Sequence, residues 1–347
     1  FNMNDMPLTP VSQIEETLIS DLKECINLLP KSWTGTDLAR ATSGAAATLL
    51  GKIYLRNHHY ANAKTYIDMV LNSGQYDLED DFKYVWSEQN KYGKEMIFAL
   101  LHETGGNAAE IACHFGPSDN PDVPGRWQYY GVSLPFWRTY SKKDPRREFF
   151  YYDYIGDAKA DDQVNHGFHY MVPEEGQTEV PDSYTKFMQN VATKKYTWEM
   201  ASDAYYDGRT ICIFRLADVI LCKAEIENNI AGGSPEKALP YLNRIRHRAG
   251  APEYGSSDPE FPAPTTKEAM NDAILKERGW ELVFEFQRRA DLIRFGKYEE
   301  IVNKHLGKLG ISKPTTVTPD LRYFPYPQND AQLNVNMANE NPSRLPK

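Results

Sequence analysis

The stretch Ser43-Gly44-Ala45-Ala46-Ala47-Thr48-Leu49-Leu50-Gly51-Lys52-Ile53-Tyr54-Leu55 decides the fold. Ala46, Leu49, Leu50 and Ile53 recur at helical spacing, behind a capping Thr42 or Ser43. A second helix is expected from Tyr60 to Leu71, striped by Ala63, Ile67 and Val70 and stopped at Asn72-Ser73-Gly74. Leu50-Gly51-x-x-Tyr54 followed by Ala63 and Ile67 fits the tetratricopeptide template, in which small residues let two helices approach and large ones fill the groove between them. A plain helical hairpin would show the stripe without Gly and Ala at those offsets.

Working outward, Val11, Ile14, Leu18, Leu22, Cys25 and Leu29 predict a helix from Pro10 to Leu29 that Pro30 ends. Far downstream, Leu216, Val219, Ile220 and Ala224 stripe one helix, and Ala238, Leu239, Leu242 and Ile245 the next. Gly232-Gly233-Ser234-Pro235 turns between them and Gly250 serves as a C-cap. After a proline-rich loop, another helix is expected from Lys267 to about Arg288. Periodicity fades over 76–209, and Pro325 and Pro327 forbid a regular helix in the tail. The expectation is an all-α chain. Its N-terminal helices occupy 10–75, an irregular aromatic-rich region 76–209, a helical hairpin and helix 210–300, and a coil tail 301–347.

The 347 residues are 41% hydrophobic and 25% charged, enough apolar material for a core, and collagen-like, coiled-coil and wholly disordered chains are excluded. Lys plus Arg number 39 against 48 Asp plus Glu, a net charge of −9, which disfavours nucleic acid as a partner. Cys25, Cys113, Cys212 and Cys222 form no C-x-x-C pair and have no His at zinc spacing. No run of apolar residues is long enough for a membrane span. The chain opens on Phe1 without a signal peptide, so it reads as a fragment or a processed form.

Chemistry-bearing patterns are few. Glu277, Glu281 and Glu285 share the expected helix face, where like charges repel unless cations answer them. Arg244, Arg246, Arg248, Arg288, Arg289 and Arg294 are the candidates, which favours an ion-pair network over a carboxylate pair working on a glycosidic bond. Asp153, Asp157, Asp161 and Asp162 miss the calcium-loop pattern and read as a solvated acidic loop. Neither His166 with His169 nor His58-His59 has a matching ligand motif. No phosphate-binding glycine loop and no nucleophile elbow occurs. The expectation is a binding protein with no catalytic residues, no cofactor and no metal.

The aromatic residues carry the functional reading: 22 Tyr, 15 Phe and 6 Trp, 12% of the chain. Arg126-Trp127-Gln128-Tyr129-Tyr130 follows a Pro/Gly-rich loop, and Phe136-Trp137, Tyr140, Trp86, Tyr92, Trp198, Tyr205 and Tyr206 lie in other weakly periodic stretches. Most such rings plug the gaps between helices. Those on loops stack against the C–H faces of sugars while polar neighbours catch hydroxyls. The candidate ligand-binding residues are Arg126, Trp127, Tyr129, Tyr130, Trp198 and Tyr205.

Several segments, in order along nearly the whole chain, resemble the SusD/RagB-like outer-membrane nutrient-binding proteins. They are Ser43 to Leu55 with Tyr60 and Ala63, Ser73-Gly74-Gln75-Tyr76-Asp77-Leu78, and the strand-like Glu95-Met96-Ile97-Phe98. Asp144-Pro145-Arg146-Arg147, Phe214 to Leu221 with Ala224-Glu225, and Leu242-Asn243-x-Ile245-Arg246-x-Arg248-Ala249-Gly250 continue the likeness. Glu277-Arg278-x-x-Glu281-Leu282-x-Phe284-Glu285 and Arg289 to Lys297 complete it. Leu216 stands where that family often has Tyr, and the family's N-terminal part is missing, with its lipoprotein signal and anchoring cysteine.

The resemblance implies a single SusD-like domain over 1–347 and a surface-exposed lipoprotein of the outer membrane, held there only by a lipid anchor outside this chain. It implies capture of oligosaccharides, or of peptides in the RagB branch, for a SusC-like TonB-dependent transporter, without enzymatic activity. The rival readings are an intracellular tetratricopeptide adaptor and a helical glycoside hydrolase using Glu277 or Glu281.

Overall fold

The computed structural model describes residues 6–103, 111–117, 120, 123, 127–156, 167–197, 208–306, 316–318, 324–334 and 336. In chain order its first elements are α1 (Val11–Leu28), α2 (Ser43–Arg56), α3 (Tyr60–Leu71), β1 (Met96–Leu100) and α4 (Ile111–Phe115). The middle of the chain holds β2 (Val132–Ser133), α5 (Leu134–Trp137), β3 (Phe150–Tyr151), β4 (Asp153–Ile155), β5 (His169–Met171), β6 (Thr185–Phe187), β7 (Asn190–Thr193) and β8 (Ile211–Arg215). Six helices follow: α6 (Leu216–Asn229), α7 (Pro235–Arg248), α8 (Lys267–Glu281), α9 (Arg288–Arg294), α10 (Tyr298–Leu306) and α11 (Gln328–Leu333).

The first hairpin forms where the sequence places it. Thr42 caps α2 by accepting a hydrogen bond from the Ala45 N–H at 3.2 Å. A Cβ on Gly51 would sit 2.9 Å from Ile67 Cδ1, so its bare backbone lets α2 and α3 approach. Ala63, Ile67 and Val70 are buried on the facing helix. Gly44 leaves room for the Tyr76 ring, whose hydroxyl lies 3.2 Å from Thr42 Oγ1.

Helix α6 is the axis of the core, buried along nearly all its length. α2 and α3 pack on it, as do α7 and α8. Ala217, Val219, Ile220, Leu221 and Ala224 meet Leu242, Ile245 and Ile274 in one continuous apolar cluster. Helix α1 packs on α2 through Ile19, Leu22 and Ile26 and buries no residue fully. Gly250 ends the α7 turn at φ 67°, left-handed backbone that glycine adopts without cost.

The protein is mainly helical and not strictly all-α. The segment expected to be irregular carries seven of the eight strands of three small sheets, β1 with β8, β2-β7-β3, and β4-β5-β6, and β8 follows just beyond it. All pairings are antiparallel except β5 with β6. Strands of two to five residues are too short to display an alternating pattern, and partners such as β1 and β8 lie more than a hundred positions apart.

Two further expectations change. The helix from Lys267 ends at Glu281, short of Arg288, and Phe284 and Phe286 both take φ 61° in the turn before α9. The carbonyls freed there are taken by others: Lys195 donates to the carbonyls of Glu281 (3.4 Å) and Val283 (2.7 Å), and the Tyr196 hydroxyl to that of Phe284 (3.1 Å). Glu285 therefore does not share the helix of Glu277 and Glu281. The stretch 301–347 is also not all coil, since α10 runs into it and α11 lies within it.

Candidate functional site

A buried polar cluster sets the frame. Arg215, at 0% exposure, donates to Glu95 (2.6 Å), Glu281 (2.7 Å) and Glu285 (2.7 Å). Arg248 reaches Glu95 at 2.7 Å and also Glu281. Arg146 joins Glu281 (2.9 Å), Glu277 (2.7 Å) and Asp144 (2.8 Å), Arg246 joins Glu277 (2.8 Å), and Lys195 joins Glu285 (2.6 Å). Five cations thus answer five carboxylates, the arrangement that makes buried charge tolerable. Burial alone would raise the Glu281 carboxyl, but Arg248, Arg215 and Arg146 outweigh it and hold that group well below the ordinary carboxylate range. Glu277 and Glu281 are fully enclosed and pinned by guanidinium groups, which leaves no face for a glycosidic bond.

Of the six arginines expected to answer these glutamates, only Arg246 and Arg248 do. Arg244 pairs with Asp77, Arg288 donates to the Leu275 carbonyl, Arg294 holds Glu225 and Asp291, and Arg289 lies over Phe324. The decisive Arg146, Lys195 and Arg215 come from segments that only the folded chain brings near.

The cluster positions an aromatic surface. Lys195 and Tyr196 clamp the turn after α8, which carries Phe284, and Phe115 packs 5.0 Å from both the Tyr196 and Phe284 rings. Its neighbour His114 lies in the last turn of α4. The following loop is tied back there by two backbone hydrogen bonds, Trp127 N–H to the Cys113 carbonyl (2.8 Å) and Tyr130 N–H to the His114 carbonyl (3.1 Å). Three rings gather around the His114 imidazole. Trp127 lies at 5.1 Å and tilted, Tyr129 at 5.2 Å and stacked, and Tyr130 at 6.2 Å and edge-on.

Gln128 turns the chain between them at φ 49°, left-handed backbone that costs a non-glycine residue about 1–2 kcal/mol. Its side-chain amide donates to Asn190 Oδ1 at 3.1 Å, linking the loop to the exposed start of β7. A Cβ on Gly131 would crowd that same Asn190 amide, so glycine admits the contact.

Exposure separates these rings from packing aromatics. Trp127, Tyr129 and Tyr130 are 37%, 67% and 52% exposed, against 4%, 4% and 2% for Trp86, Trp137 and Tyr140. The sequence therefore names three members of one cluster, while Arg126, Trp198 and Tyr205 lie outside the described residues. His114, Phe115 and Asn190 carried no sequence signal, because neither a lone His on a five-residue helix nor an Asn opening a strand has a pattern, and Phe284 stood only within the family-like motif, not as a site residue. Among the described residues no group of three His, Cys, Asp or Glu could hold a metal ion, and no helix is long and apolar enough to cross a membrane. His169 and Asp153 hydrogen-bond each other at 2.6 Å across β4 and β5, whereas Asp157, Asp161, Asp162 and His166 lie outside the described residues.

The sequence profile of the SusD family matches residues 94–343. Two SusD-like proteins of Formosa agariphila are 25% and 26% identical to this chain, over 94% and 96% of it and 63% and 65% of their own lengths. The chain thus spans less than two thirds of these curated relatives. Among solved structures, surface glycan-binding protein A from Bacteroides thetaiotaomicron in complex with laminarihexaose superposes with a TM-score of 0.69 and 21% identity, over 96% of this chain and 72% of that one. A SusD-like carbohydrate-binding protein from Bacteroides fragilis gives a TM-score of 0.73 at 16% identity, with the same coverage of each chain. At such identities the superpositions establish a shared fold. The profile covers most of the chain and takes in Arg146, Lys195, Arg215 and all four glutamates of the buried cluster, and on that ground the chain belongs to the SusD family.

Proposed function

We propose that the protein binds oligosaccharides at the cell surface and passes them to a SusC-like TonB-dependent transporter, without altering them chemically. The observation that carries this reading is the exposed ring cluster of Trp127, Tyr129 and Tyr130 around His114, with the Gln128 and Asn190 amides at its rim. Ring faces take the C–H faces of sugars, and amides exchange hydrogen bonds with hydroxyls. The solved relative that holds laminarihexaose supports the choice of a glycan. Residence in the outer membrane through an N-terminal lipid, outside this chain, belongs to the same proposal. Arg126, Trp198 and Tyr205 are proposed as further contacts.

Native affinity electrophoresis through gels holding a panel of polysaccharides tests the reading. Retardation in at least one gel without release of sugar is expected, and no retardation in any gel would overturn glycan capture in favour of a peptide cargo. Trp127→Ala should abolish the retardation and leave the melting temperature within about 2 °C of the parent. A loss of ~3–5 kcal/mol on that substitution would instead identify Trp127 as a core residue.

A further inference from the structure

A second cleft has a different character. It lies between the segment that links α1 to α2 and the chain around β1, encloses about 170 Å³, and shares no lining residue with the Trp127 cluster. Trp33, Tyr76, Tyr92 and Phe98 supply its rings, and Tyr92 is 54% exposed. Lys31, Arg40, Lys91 and Lys94 bring four cations to the same walls, and among the described residues no carboxylate lines them. In a chain of net charge −9 this is a local reversal of sign.

The cations are only lightly engaged. Lys91 donates to the His102 carbonyl at 2.8 Å. Arg40 uses its Nε on Asp37 at 2.8 Å, and its guanidinium lies 5.7 Å from the Trp33 ring centre. Lys94 stands 3.6 Å from the fully exposed Asp80, a contact worth little in water. Lys31 makes no ion pair among the described residues, and it also lines an adjoining cleft of about 220 Å³ that shares Gln75 and Tyr76. Together the two clefts reach the ~300–1,000 Å³ usual for small-molecule sites. Ser32 and Gln75 add groups able to hydrogen-bond hydroxyls.

We propose that this double cleft is a second saccharide site, selective for sugars that carry a negative charge. It rests on the reading of the protein as a glycan binder. A pyranose ring lies against Tyr92 and Tyr76, and its carboxylate or sulfate is held by Lys31, Lys94 and the free edge of Arg40. Rings fix the plane of the sugar and cations select its charge, so neutral sugars are left to the Trp127 cluster.

Calorimetric titration of the intact chain with a trigalacturonate, a κ-carrageenan tetrasaccharide and neutral cellotetraose tests this. At least one of the two anionic probes should bind, and which one does decides between carboxylate and sulfate. Affinity for it should fall at least tenfold in the double variant K31E/K94E and also between 50 and 500 mM NaCl. Tyr92→Ala should lower it several-fold, and Trp127→Ala should change it less than twofold. Matching melting temperatures confirm that the variants fold. Binding of neither anionic probe, binding that survives K31E/K94E, or loss of binding in Trp127→Ala would each overturn the proposal. Retardation by neutral polysaccharides reports separately on the Trp127 cluster, so the two readings fail independently.

Discussion

Glu281 shows what one side chain carries here. It is fully buried and faces Arg146, Arg215 and Arg248 at once. An assembled buried ion pair adds little net stability, but removing one partner strands the others, at a cost of ~3–5 kcal/mol. Glu281→Gln keeps the shape and discards the charge, so urea denaturation should show a loss of that size, with the midpoint falling and the slope unchanged. A loss under 1 kcal/mol would mean that water reaches the arginines. The sequence exposed half of this arrangement. The i, i+4 spacing of Glu277 and Glu281 announces a carboxylate pair, and Arg246 and Arg248 sit on the neighbouring helix of the sequence. Arg215 had no such proximity, because only the pairing of β8 with β1 brings it beside Glu95.

At the level of elements, α3 was legible to the residue and α2 at its capped start, because what defines them is local, although Leu49, expected on the packed stripe, is 39% exposed. Thr42 caps one end, Asn72-Ser73-Gly74 stops the other, and the apolar stripe runs at helical spacing between. Their fit depends on Gly51 lying under Ile67. Gly51→Ala should destabilise the protein by ~1–3 kcal/mol through overpacking. In an Ile67→Val background, which removes the terminal methyl that the new Cβ meets, the same change should cost less. Equal costs in both backgrounds would show that the hairpin yields elsewhere. The short strands offered no comparable handle. β2 and β3 hold two residues each and exist because β7 lies between them, a tertiary fact with no periodic trace. The end of α8 is similar, since Lys195 and Tyr196 decide it from more than eighty residues away.

For the molecule as a whole, the buried carboxylates govern behaviour in acid. Burial would raise Asp218, but Lys52 and Arg278 outweigh it and hold it well below the ordinary range, as the arginines hold Glu281. A carboxyl depressed in the folded state stabilises fully above its unfolded value, ~4 for these groups, and that contribution disappears as pH falls below it. The melting temperature should stay nearly level from pH 8 to 5 and drop steeply below about pH 4, with a shallower drop in Glu281→Gln. A melting temperature that held to pH 2 would contradict this account. The aromatic site is likewise a product of the whole fold. The run at 126–130 was visible as a cluster of rings, yet its seat is built from Phe115, Tyr196 and Phe284, three positions that share no sequence neighbourhood. The same dispersion orders events while the chain is being made. Arg146, Lys195 and Arg215 leave the ribosome long before Glu281 and Glu285, and although Asp144 and Glu95 answer two of them early, burying all three before the later carboxylates arrive would be costly. The chain up to Arg215 must therefore stay hydrated around those charges, and the core closes only when the last carboxylates arrive.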